Sequence, residues 1–279
     1  MRTLRRALAL LALAPLAASA QLVRSGAGDL AAVTAARDQF RLDLGGGTVA
    51  GANGAFGGVR REINWDGVPD AAAAPNSLPA NFFNTNSPRG VVLSTPGTGF
   101  QVSANAGVAP IEFDNLDPSY SATFQPFSAQ RLFTALGSNV VDVEFLAPGT
   151  ATPALTRGFG AVFSDVDLAN LTSIQFFDAA LNSLGTFFVP NVVGANPSFS
   201  FLGVSFAEAA VRRVRITSGT AALGAGVTEN LALQRDLVVM DDFLYGEPGA
   251  AAVVPEPATV ALTATGLLLL AGAARRRRA

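Results

Sequence analysis

Whatever acid–base chemistry this chain performs falls to carboxylates. Its 279 residues include no His, no Cys and no Lys, and all 19 basic residues are Arg. A Ser-His-Asp triad, a thiolate nucleophile, a thiolate zinc site, a Schiff-base lysine and a P-loop lysine are excluded. The 21 Asp and Glu remain, and two of them about 5 to 9 Å apart would suffice for glycoside hydrolysis. Asp165 and Asp167, in Phe163-Ser164-Asp165-Val166-Asp167, are two apart and would share one face of a strand. The blander reading is two acids at a strand end, in a loop that continues through Leu168-Ala169-Asn170. An EF-hand loop does not fit, because the Gly at its sixth position and the Glu at its twelfth are missing.

Other chemistry-bearing stretches are weaker. The glycine runs near Gly45 and Gly54 lack a preceding parallel strand and a following Lys-Ser helix, so they read as loops, not phosphate cradles. Arg212, Arg213 and Arg215 would alternate faces on a strand, as solvated charges rather than a patch. Trp65 and Tyr245 are natural sugar-stacking residues, although a lone Trp near Ile63 is more often core.

The elements that must position these residues are short strands. Gly90 to Leu93, Phe100 to Ser103, Val140 to Leu146, Gly158 to Phe163, Ser173 to Asp178, Thr186 to Val189, Phe199 to Phe206, Arg212 to Thr217 and Leu237 to Tyr245 are the clearest. Val141, Val143 and Phe145 oppose Asp142 and Glu144, and Val214 and Ile216 oppose Arg213 and Arg215. Period two over many short segments separated by Gly, Pro and Asn predicts an all-β, antiparallel two-sheet sandwich. One short helical pattern falls at Phe206 to Val211. Residues 21–61 are rich in Gly and Ala and read mostly as loop, with one short helix or strand within Leu30 to Leu44. The sandwich is expected over 62–248, followed by a linker at 249–257.

Both ends of the chain carry membrane-directed patterns. Residues 1–20 combine Arg2, Arg5 and Arg6, an apolar run from Ala7 to Leu16, and a small-residue box at Ala18-Ser19-Ala20. That is the layout of a secretory signal, with cleavage after Ala20 and a mature start at Gln21. At the other end, residues 258–274 form an apolar run closed by Arg275, Arg276, Arg277 and Arg278 within the tail 275–279. As a helix the run spans roughly 25 Å, close to the thickness of a hydrocarbon core. The arginines place the tail in the cytoplasm and everything before it outside. Between the signals, 12 Arg face 21 acids, a net charge of −9. That sign argues against nucleic acid and anionic polymers as partners and is compatible with divalent cations or neutral sugars.

Pro255, Glu256 and Pro257 stand just before the apolar run. The box, the apolar helix and the arginine cluster, in that order, resemble the PEP-CTERM sorting signal of Gram-negative bacteria. The resemblance implies recognition and processing by an exosortase near the box, in bacteria that make extracellular polysaccharide. Pro255, Glu256 and Pro257 would then be substrate residues of another enzyme. The expected protein is a non-enzymatic one of the cell surface or extracellular matrix, with polysaccharide as a ligand class. The competing expectation is a secreted glycan-active hydrolase that uses paired carboxylates.

The segments Arg60 to Pro69, Phe82-Phe83-Asn84 and Ser87 to Val91 resemble a domain of exported bacterial proteins, and Asp241-Asp242-Phe243 looks like the last strand of many jelly-roll modules. The resemblance implies a jelly-roll-like fold and no activity. Strict alternation would put Asp242 with Val238, Met240 and Leu244, and Asp241 with Val239, Phe243 and Tyr245. Both faces are largely apolar, so a carboxylate there needs a cation. The expected cation is an arginine such as Arg60 or Arg61, or a structural Ca²⁺. In sugar-binding jelly rolls the first and last strands often lie side by side and can hold such an ion. That makes Asp66 the companion of Asp241 or Asp242.

Overall fold

The computed structural model describes residues 20–194, 197–250 and 265–266. Ala18, the sorting box at Pro255, Glu256 and Pro257, most of the apolar run and Arg275 to Arg278 lie outside these residues. Among the described residues no helix is long and apolar enough to cross a membrane.

The fold is mostly β and wholly antiparallel. Strands are numbered in chain order. One sheet runs β1 (Gln21–Gly28), β12 (Phe199–Phe206), β9 (Gly158–Ser164), β14 (Val239–Gly246), β3 (Arg60–Ile63), β2 (Ala55–Phe56). Further along, β6 (Phe133–Leu136) pairs with β14, and β5 (Gly99–Val102) pairs with β6. The second sheet runs β11 (Ser183–Phe188), β10 (Ser173–Phe177), β13 (Arg213–Thr217), β7 (Val140–Phe145), β4 (Val91–Ser94). A two-residue ladder joins β8 (Ala154–Leu155) to β15 (Gly249–Ala250).

The inner faces of the two sheets share one core. Phe159, Ala161, Phe163, Leu202, Val204, Phe243 and Tyr245 come from the first sheet, and Val91, Val141, Val143, Phe145, Phe176 and Val214 from the second. The alternation read from β7 and β13 holds, with Val141, Val143, Phe145, Val214 and Ile216 fully buried. On the outer side of the second sheet the charges form a cross-strand ladder. Asp142 accepts two hydrogen bonds from its register partner Arg215 at 2.7 and 2.8 Å.

Residues 21–61 contribute more order than their composition suggests. Residues 21–28 form β1 instead of loop, pairing along its whole length with β12. A helix, α1 (Leu30–Asp43), then folds back over the outer face of the first sheet. Asp29 caps α1 by accepting the Ala32 N–H at 2.9 Å. The helix ends at Gly45 and Gly46, both at positive φ. Its buried stripe is narrow, limited to Val33 and Phe40 with small alanines between. Those alanines matter, because an added Cβ on Gly26 of β1 would lie 2.9 Å from Ala36 Cβ. Phe40 drops into a notch where Gly160 and Gly203 face each other in register, and a Cβ on Gly203 would reach its ring at 2.7 Å. Three arginine–carboxylate pairs pin α1 to the sheet: Arg24–Asp43, Arg37–Asp242 and Arg41–Glu62.

The helical pattern at Phe206 to Val211 is not a helix. β12 extends through Phe206, and the chain then bends so that Val211 donates its N–H to Thr156.

Candidate functional site

Asp241 and Asp242 sit in a β-bulge. In β14 Met240 pairs with Phe163 and Phe243 with Ala161, so three steps along one strand match two along the other. The extra residue resets the alternation. Met240, Phe243 and Tyr245 all face the sandwich core, whereas Leu244 lies under α1 and Val239 joins a third apolar cluster. This corrects the strict alternation expected from the sequence, which put Met240 and Leu244 on one face and Phe243 on the other.

The bulge carboxylates are both buried and both served by protein groups. Asp241 accepts N–H bonds from Phe127 at 2.6 Å and Ser128 at 3.2 Å, and a hydroxyl bond from Ser128 at 2.9 Å. Asp242 accepts from Arg37 at 3.1 Å. Arg37 thus supplies the arginine partner that the sequence left open, where Arg60 or Arg61 had been expected. Arg60 instead binds the Gly46 and Gly47 carbonyls and Glu62, and Arg61 binds Glu247. β3 does lie beside β14, with Ile63 opposite Phe243, which brings Asp66 close to the bulge. Asn64 donates to one oxygen of Asp66 at 2.9 Å. Burial, reinforced by the charge of Asp242 and opposed by the Arg131 backbone, pushes the Asp66 carboxyl up to about 6.

A second group of acids gathers at one end of the sandwich. Asp165 and Asp167 follow β9, while Glu229 and Asp236 precede its neighbour β14. Among the described residues, Asp167, Glu229 and Asp236 are the one set of three carboxylates whose ligand oxygens lie within 4.8 Å of one another. Asp165 is close enough to feel the charges of all three. Asp165 and Asp236 are fully buried and Asp167 is 1% exposed.

Backbone amides orient this cluster. Gly194 donates to one oxygen of Asp167 at 2.9 Å, Leu237 to one oxygen of Glu229 at 2.7 Å, and Leu168 to one oxygen of Asp236 at 2.9 Å. That leaves Asp167 Oδ2, Glu229 Oε1 and both carboxylate oxygens of Asp165 buried without a hydrogen-bond partner. None of the four acids forms an ion pair with an arginine among the described residues. Burial, then mutual repulsion, raises Asp165 to about 8. Burial opposed by the Leu237 amide takes Glu229 to about 7, and burial opposed by the Leu168 and Asp167 amides takes Asp236 to about 6. Arg235 acts on Glu229 only from beyond ion-pair distance, and several acidic oxygens converging without a contact cation form a donor set for a hard metal ion.

Asp165 and Asp167 were legible as an acidic pair at a strand end. Glu229 and Asp236, more than sixty residues later, carry no local signal that ties them to it. The aromatic candidates resolve differently. Trp65 and Tyr245 are both fully buried, so neither offers a face to a sugar. An open groove of about 620 Å³ lies beside α1, lined by Asp38, Gln39, Arg41, Thr48, Phe56 and Arg60 among others. The Arg60 guanidinium covers the Phe56 ring there at 3.8 Å.

The segments Arg60 to Pro69, Phe82-Phe83-Asn84 and Ser87 to Val91 pack together around Trp65. Its ring stands edge-on to Phe83 at 5.4 Å, Arg89 covers Phe83, and the Arg89 carbonyl accepts from Tyr245 at 3.0 Å. No known family model matches the chain, and no curated protein is similar to it at a significant level.

Proposed function

We propose that the chain is an exported protein of the bacterial cell surface or extracellular matrix, sorted through its C-terminal PEP-CTERM-like signal, that binds rather than catalyses. The observation that carries this reading is the ordered tail: Pro255-Glu256-Pro257, the apolar run 258–274, then Arg275 to Arg278. Two features of the folded part support it. β1 begins at Gln21, the residue that cleavage after Ala20 would expose. At the other end, β14 is an interior strand and β15 pairs with β8 at Gly249–Ala250, so both sheets of the described residues are formed by segments that precede the box.

The sandwich is read as jelly-roll-like, with β3 and β14 side by side near its ends. Neutral polysaccharide is the proposed ligand class, because the net charge between the signals is −9. The groove beside α1, lined by the amide of Gln39, the hydroxyl of Thr48, the guanidinium of Arg41 and the carboxylate of Asp38, is the proposed place for it. Exosortase is the processing partner. Hydrolysis finds less support, because three of the four acids that cluster, Asp165, Asp167 and Asp236, are buried away from a glycan.

The test is expression of the full chain, epitope-tagged after Gly28, in matched bacterial hosts with and without an exosortase. The expected result is a shortened, surface-exposed product only in the host that has the enzyme, lost on Pro255→Ala with Glu256→Ala. Identical full-length product in both hosts would overturn the sorting reading. Reducing sugar released from polysaccharide by the purified protein would overturn the non-enzymatic one.

A further inference from the structure

We propose that Asp165, Asp167, Glu229 and Asp236 bind one Ca²⁺ ion that ties together the loops at one end of the sandwich. This stands apart from the sorting reading, and either can fail alone. Three independent observations carry it. First, one oxygen of Asp167 and one of Glu229 are anchored by amides while the other is left free. A carboxylate held in that way is aimed, not merely buried. Second, Asp165 is fully buried with both oxygens unpartnered. An uncompensated buried carboxylate is very costly, and four near one another are more so. Third, the described residues place no arginine in ion-pair contact with the four, although arginines pair with most other acids of the first sheet.

The donor set selects the ion. All the ligands are oxygens, which excludes a preference for soft metals. Asp165, Asp167 and Glu229 bring four unpartnered oxygens from three carboxylates, more than the one or two carboxylates that hold hydrated Mg²⁺ and part of the six to eight oxygens that Ca²⁺ takes. Glu229 is only half-buried, and its side gives an ion a way in.

The bound ion would add a shared centre to segments that are already joined in pairs by hydrogen bonds. Asp165 and Asp167 belong to the β9–β10 loop, Gly194 to the β11–β12 loop, and Glu229 and Asp236 to the long β13–β14 connection. The Asp165 amide also donates to the Ser198 carbonyl at the start of β12. Three loops would therefore lose their common tie if the ion were withdrawn.

The experiment is thermal unfolding of the full chain in detergent, in EDTA and then in rising CaCl₂ or MgCl₂ at pH 7.5. A saturable rise of about 5–10 °C in Ca²⁺ is expected, with a smaller one in Mg²⁺. Asp165→Asn and Asp167→Asn should each abolish the Ca²⁺ increment. Asn tolerates the φ of +70° at this position, so Asp165→Asn should keep the midpoint of the parent in EDTA. No rise in the parent, an equal rise with Mg²⁺, or an increment that survives both substitutions would overturn the proposal. Should the variants not fold, equilibrium dialysis of the parent against ⁴⁵Ca²⁺ decides it: one ion per chain sustains the site and none removes it.

Discussion

The indole N–H of Trp65 donates to the backbone carbonyl of Asp241 at 2.9 Å, so the one tryptophan of the chain holds the bulge of β14 from inside the core. The ring lies parallel to Phe133 at 4.1 Å and edge-on to Phe243 at 5.0 Å. Trp65→Phe keeps an aromatic ring but removes the donor. The orphaned carbonyl alone should cost about 1–3 kcal/mol. Urea unfolding followed by far-UV circular dichroism would measure it, and a loss below a few tenths of a kcal/mol would mean that the bond is not formed in solution.

Phe145 tests the sandwich core. Its ring is fully buried and meets Tyr245 at 5.4 Å and Phe159 at 6.2 Å, thereby joining the two sheets. Phe145→Ala should destabilise by about 3–5 kcal/mol. Neighbouring Glu144 faces outward with its side chain 38% exposed, 3.7 Å from Arg212, so Glu144→Ala should change stability by less than about 1 kcal/mol. Equal effects in denaturant titration would contradict the register of β7.

The seat of α1 depends on the absence of a side chain. Gly203→Ala would drive a Cβ into the Phe40 ring and should cost about 1–3 kcal/mol through overpacking. Phe40→Leu in the same chain should recover part of that loss, since the two changes share one contact. Hydrogen exchange of the α1 amides should quicken in Gly203→Ala and slow again in the double variant. Strict additivity of the two changes would disprove the contact.

Asp66 sets a pH dependence whose sign follows from its shift. Its folded pKa of about 6 lies above the unfolded value of about 3.9, so the folded state holds more protons between these limits. The group therefore favours folding most below about pH 4, and that contribution is lost as pH rises through about 6. Between pH 5 and pH 7 the parent should lose more stability than Asp66→Asn does. Parallel curves would show that Asp66 titrates normally.

Legibility in the sequence tracked local pattern. β12 was readable to the residue because Phe, Leu and Val recur across it with only Ser and Gly between, and β7 because Val and Phe alternate with acids. The helix α1 was obscured because its docking surface is two large residues plus alanines set against glycines, which leaves little periodic hydrophobicity to detect. The bulge was invisible, since one inserted residue reverses every later face without altering composition. The acid cluster was half visible. Asp165 and Asp167 announce themselves by spacing, whereas Glu229 and Asp236 reach them only through the adjacency of β9 and β14.

The pairing of β1 with β12 sets an order of events during synthesis. Gln21 pairs with Phe206 and Gly28 with Phe199, so the strand made first waits for one made among the last. Contacts this distant in sequence slow folding, because a long loop must close before they form. Until β12 emerges, β1 has no neighbour in the sheet, and α1 lacks the floor that Phe199, Phe201 and Val162 give it. A nascent chain stalled at residue 198 should therefore carry an undocked N-terminal segment, open to proteases at Arg24, Arg37 and Arg41. The completed sheet covers that segment, and the domain stays threadable through a narrow channel until Phe206 has been made.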